Sequence, residues 1–157
     1  MQTLAEFLAG LPFSGPMRRS ALLYALVNAT HILGIGLILG AILPLDLRIQ
    51  GLLRAPPLAV IGPFLSRVAA VGVGLAMLTG LALISVRPGE YLGNPAFRVK
   101  VLLLVTALLN VAALHLSGTW GRAAAGGVVS VGLRLGAAVS FSAWLGALVA
   151  GRMIGFL

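Results

Sequence analysis

Two histidines, His31 and His115, are the side chains of this sequence best suited to chemistry. Each sits inside a segment apolar enough to cross a membrane. An ionisable or metal-ligating group in a lipid span is costly, so it usually faces a bundle interior and has a task there. Two such residues on two different spans fit a pair of axial ligands for one haem or a small metal site. Cysteine is absent, which excludes disulfides, thiolate metal sites and covalent c-type haem attachment. Any cofactor must then be held non-covalently by His, Met or oxygen ligands.

The neighbours of the histidines extend this reading. Ser20, Tyr24, Asn28 and His31 follow one another at steps of four, four and three, a single stripe of one helix. A polar stripe in a membrane helix faces protein, water or a cofactor rather than lipid. Gly34, Gly36 and Gly40 come next and permit close approach of a flat ligand or a neighbouring helix. Similar small-residue stripes occur at Gly72, Ala76 and Gly80, and at Gly132, Gly136 and Ser140. Such stripes also serve ordinary helix packing in membranes. Arg67 and Arg134 lie near the starts of the second and fourth apolar runs, on the same side as His115, where guanidinium groups can pair with haem propionates. Snorkelling to the headgroups is their alternative use.

The expected site is therefore a b-type haem on His31 and His115, with Arg67, Arg134, Tyr24, Asn28 and Gly34 around it. His31 is expected near mid-membrane and His115 about one turn from the end of its span, a depth offset of several ångströms at about 1.5 Å per residue. Interhelical hydrogen bonds are the alternative role for the two rings. Copper is the alternative metal, since Met77 and Met153 lie in the spans and His with Met suits Cu(I).

The elements that must position these residues follow from composition. Of 157 residues, 60% are hydrophobic and only 9% charged, against about a quarter charged in soluble domains. Mean hydropathy is +1.10. An all-α membrane protein is the class this implies. Four spans can be read: about Ser20 to Leu43, stopped by Pro44; about Pro63 to Val86; about Pro95 to Gly118, capped by Asn94; and about Val128 to Ile154. Each is close to the roughly 20 residues that cross a bilayer core. Short connectors make neighbouring helices antiparallel and the chain one four-transmembrane-helix bundle.

The N-terminus lacks the pattern of a cleavable signal. Instead Thr3 and Glu6 read as a capping box, and Leu4, Phe7, Leu8 and Leu11 share one helical face. A short amphipathic surface helix is expected within residues 1–15, ended by Gly10 and Pro12, with Arg18 and Arg19 at the entry to the first span.

The net charge of +8 is not a nucleic-acid signal, because the basic residues cluster around the ends of apolar runs. Arg18, Arg19, Arg87, Arg98, Lys100 and Arg152 share the side of both termini, and Arg48, Arg54 and Arg122 the other. The positive-inside bias then places the termini in the cytoplasm and the bundle in a bacterial inner membrane.

Several runs resemble a known family. Ala25-Leu-Val-Asn-Ala-Thr-His31-Ile-Leu-Gly34, followed by Gly40 and by Pro44-Leu-Asp46-Leu-Arg48, resembles an uncharacterised bacterial family of small four-helix membrane proteins. Thr79-Gly80, Asn94-Pro-Ala-Phe97 with Lys100, Asn110 near His115, Trp144-Leu-Gly and Gly151-Arg152 extend the resemblance over nearly the whole chain. More distantly, the second and third spans look like the CopD-like copper-resistance membrane domain. In style the chain is also similar to HemJ-like haem-binding membrane proteins. These resemblances imply the four-helix fold; the uncharacterised family brings no established activity, while the HemJ kind is the haem-binding protoporphyrinogen oxidase.

No nucleophile arrangement, paired carboxylates or phosphate loop is visible, which argues against an independent hydrolase or nucleotide enzyme. The expected role is electron transfer through a bis-His haem, in a homo-oligomer or as a subunit of a larger respiratory or dehydrogenase complex surrounded by membrane lipid. A structural subunit without cofactor, or copper handling, are the competing classes.

Overall fold

Residues 2–157 are described by a computed structural model, and every regular element among them is a helix. In chain order these are α1 (Gln2–Ala9), α2 (Ser14–Arg19), α3 (Ala21–Gln50), α4 (Leu58–Val86), α5 (Pro88–Gly93), α6 (Pro95–Leu116), α7 (Thr119–Ala124) and α8 (Val131–Met153). The four long helices, α3, α4, α6 and α8, are each long and apolar enough to cross a membrane. The chain is thus a multi-pass membrane protein in its composition and its helix lengths.

Local sequence explains most of the boundaries. Ser20 caps α3 by accepting from the Leu23 amide, and Ser130 caps α8 by accepting from Leu133. The Asn94 side chain accepts from both Ala96 and Phe97 at the start of α6. These bonds satisfy amides that a helix N-terminus leaves without a partner.

The first span corrects the sequence reading. It does not stop at Pro44 but continues through it to Gln50. A proline removes one backbone hydrogen bond, which membrane helices tolerate when packing sustains them. Here Leu45, Asp46 and Ile49 remain buried beyond the proline. The helix ends where Gly51 turns left-handed, with φ of 84°, and its amide reaches back to Arg48 and Leu47. That conformation suits glycine. The second span likewise starts earlier than expected, at Leu58, and carries Pro63 inside it.

Packing follows the order α4, α3, α8, α6, with seams between α3 and α4, α3 and α8, and α6 and α8. The α3–α4 seam is backbone against backbone. A Cβ on Gly34 would fall 2.9 Å from the Ala76 amide nitrogen, and one on Gly72 would fall 2.8 Å from the Gly34 carbonyl oxygen. Between α6 and α8, Leu114 sits over Gly136 and Leu103 over Gly146. Lipid tails are as apolar as leucine, so such close van der Waals fit is what holds membrane helices together. By contrast α4 and α6 share no comparable seam, and α7 packs on both at one end.

At the opposite end, α1 packs against α4 and α5, and Arg18 of α2 donates to the carbonyls of Val86 and Ser85 at the end of α4. The short α1 already includes Gln2, so Thr3 lies in its first turn rather than at a cap. Leu8 is buried, whereas Leu4 and Phe7 are exposed.

Candidate functional site

The seam missing between α4 and α6 leaves a cavity of about 310 Å³, backed by α3 and α8 and closed at one end by Trp120 of α7. Its walls are mostly apolar, with Ile42, Val73, Leu108 and Leu133 among them. Polar groups nonetheless converge on it. Asp46 comes from α3, Ser66 from α4, Asn110 and His115 from α6, and Ser140 and Trp144 from α8. Both tryptophans of the chain line this one space. Ala70 and His115 line it and are exposed, marking an opening toward the membrane between α4 and α6.

Asp46 is the decisive residue. It is only 4% exposed, on the stretch of α3 that follows Pro44. The Ser140 side chain of α8 is its polar neighbour, and its Oδ2 has no hydrogen-bond partner. Trp144 is 5% exposed and its Nε1 also lacks one. Ser140 and Trp144 are four apart on α8, hence on one face, and both line the same cavity as Asp46. A buried polar atom without a partner costs about 1–3 kcal/mol. Two in one cavity mark a place built for something polar.

Asn110 and His115 of the same cavity have protein partners. Asn110 donates to the Gly136 carbonyl at 2.9 Å and ties α6 to α8. The His115 Nδ1 lies 2.8 Å from the Val111 carbonyl, and its ring stands 6.0 Å from that of Trp120. Gln50 donates to the Arg134 carbonyl and fixes the same end of α3 to α8. Trp120 seats against α4 at Gly62, where a Cβ would fall 2.9 Å from the indole edge.

The expected bis-histidine site is not assembled. His31 lies fifteen residues before Asp46 in one continuous helix, about 22 Å of axial rise. Its Nδ1 pairs with the Thr79 hydroxyl at 3.0 Å, and its ring packs on Gly80. His115 belongs instead to the Asp46 cavity. One iron cannot take both rings, so the residues do not fit a bis-His haem.

The remaining expected members are dispersed too. Tyr24 partners Tyr91 of α5, and burial pushes the Tyr91 phenol above its ordinary range, with Tyr24 adding to the effect. Asn28 is exposed. Gly34 is filled by the α3–α4 crossing. Arg67 and Arg134 are exposed and do not line the cavity. Met77, the copper candidate, is 60% exposed. Among the described residues no group of three or more His, Asp or Glu side chains comes together that could hold a metal ion.

Sequence reasoning missed Asp46 as a site residue because Pro44 had placed it in a loop. The signal was present nonetheless. Ile38, Ile42, Leu45 and Ile49 keep a helical apolar spacing straight through the proline, and Asp46 rides on that face. No family model, no curated protein and no solved structure matches this chain.

Proposed function

We propose that this protein is a small-molecule-binding membrane protein, which admits an amphiphile of about one ring's size from the lipid between α4 and α6. The observation that carries this reading is the unpaired, buried carboxyl of Asp46 in a largely apolar cavity. Ligand sites have this character, an apolar pocket with a few convergent polar groups, and their volumes begin near 300 Å³. An intramembrane carboxylate is also a functional residue by default. The bundle belongs in a bacterial inner membrane with cytoplasmic termini, following the basic residues around Arg18, Arg87 and Arg98. The exposed Leu4 and Phe7 of α1 dip into the interfacial lipid there.

The tryptophans supply the test. Because both line the cavity, heavy-atom quenching of the protein's fluorescence reports occupancy directly. Lipid-nanodisc samples are titrated with 4-bromophenol, 4-bromobenzylammonium and bromobenzene. Saturable quenching by at least one of them, abolished by Ala70→Phe at the mouth, is the expected result. Quenching that rises linearly for all three and is indifferent to Ala70→Phe is plain partitioning into lipid and would overturn the proposal.

A further inference from the structure

The two unpaired atoms of the cavity specify more than an apolar guest. Oδ2 of Asp46 is an acid oxygen without a donor, and Nε1 of Trp144 is an N–H without an acceptor. They belong to adjacent helices, α3 and α8, and their residues line the same cavity. An indole nitrogen only donates, while a hydroxyl both donates and accepts through one oxygen. An ammonium group satisfies the carboxyl alone, and an ether or ketone the indole alone.

We infer that the ligand of this site carries a hydroxyl on a compact apolar body, a phenol or hydroquinone type of molecule, whose oxygen donates to Asp46 and accepts from Trp144. This rests on the reading of the cavity as a ligand site. The surroundings agree with it. The apolar walls contributed by Ile42, Val73 and Leu108 suit a ring, and no lysine or arginine lines the cavity that would compensate Asp46 in the guest's place. Sites that hydrogen-bond a substrate hydroxyl reject the analogue lacking it strongly, because the protein's own groups are then left unpaired.

The experiment compares 4-bromophenol with its methyl ether, 4-bromoanisole, and with 4-bromobenzylammonium, by the same fluorescence quenching in nanodiscs. The expected order places the phenol at least tenfold tighter than the ether. Asp46→Ala should erase that preference while leaving the ether's affinity within about twofold. Trp144→Phe, read through Trp120, should weaken phenol and ether alike. Each variant is accepted only if its thermal unfolding in detergent remains cooperative. Asp46→Asn serves as the conservative partner, since an amide keeps an oxygen acceptor and should retain part of the preference. Tighter binding of the ammonium than of the phenol would overturn the inference in favour of a cationic guest. Equal binding of phenol and ether would overturn it too, because the guest's hydroxyl proton then gains nothing from Asp46. Absence of saturable binding by every compound removes the site itself, a failure distinct from either.

Discussion

Gly72 and Gly74 lie two residues apart on α4, and the same substitution should act very differently at each. A methyl group on Gly72 meets backbone atoms of α3, the Gly34 carbonyl oxygen at 2.8 Å and the Ile38 amide nitrogen at 2.9 Å. Ordinary contact begins near 3.4 Å, so the helices must part by about 0.6 Å, and backbone atoms cannot turn aside as a flexible side chain can. Overpacking of this kind costs about 1–3 kcal/mol, and in lipid little hydrophobic force draws the helices back together. At Gly74 the added methyl meets nothing within 4 Å, and Gly74→Ala should stay within about 0.5 kcal/mol of the parent. The assay is reversible unfolding in mixed micelles by increasing SDS, followed by tryptophan emission. Helices persist in both states there, so the difference between variants reports packing rather than helix propensity. A Gly72→Ala protein as stable as Gly74→Ala would show that α3 and α4 do not cross at Gly34 and Gly72.

Three further outcomes follow from local geometry. Asn94→Ala removes the two cap bonds to Ala96 and Phe97 and the link to the Ile154 carbonyl, and should lower stability by about 1–2 kcal/mol in the same unfolding assay. Gly62→Ala pushes on the tip of Trp120, so the emission of a Trp144→Phe background should shift, whereas Gly121→Ala, which meets nothing within 4 Å, should leave it unchanged. Tyr91, with its phenol pushed up chiefly by burial, should ionise later than a free tyrosine in an alkaline absorbance titration. The unfolded chain loses that proton first, so stability should fall as pH rises past the ordinary tyrosine value, and Tyr91→Phe should remove this part of the fall.

The small-residue stripes show what a sequence does and does not reveal. Gly72 and Gly136 are read correctly as places of close approach, but a stripe does not say whether its partner is a ligand, another helix of the chain or a second copy. The structure assigns Gly72 to α3 and Gly136 to Leu114 of α6. Both positions are thus filled within the chain, whereas Gly132 of α8 has no close neighbour apart from Ser130. The four spans themselves are legible because hydropathy over some twenty residues is a sum that few local exceptions can spoil. Which face of each span points inward is a different matter. On helices apolar all round, polar side chains and not hydrophobic periodicity carry that information.

For that reason the misplaced end of the first span governs the functional reading more than any other detail. Taken as a full stop, Pro44 leaves His31 and His115 as the most prominent polar groups in lipid, and a shared cofactor follows from them. Taken as a proline that a well-packed helix absorbs, it carries Asp46 inside, opposite Ser140 and Trp144. The two histidines then have ordinary partners, a threonine hydroxyl for one and a backbone carbonyl for the other. The carboxyl and the indole do not. Chemistry at a membrane site is read more securely from the groups left unpaired than from residue types that often bind metals. Here the unpaired groups are an acid oxygen and an indole N–H, and neither enters a reading built on the two histidines.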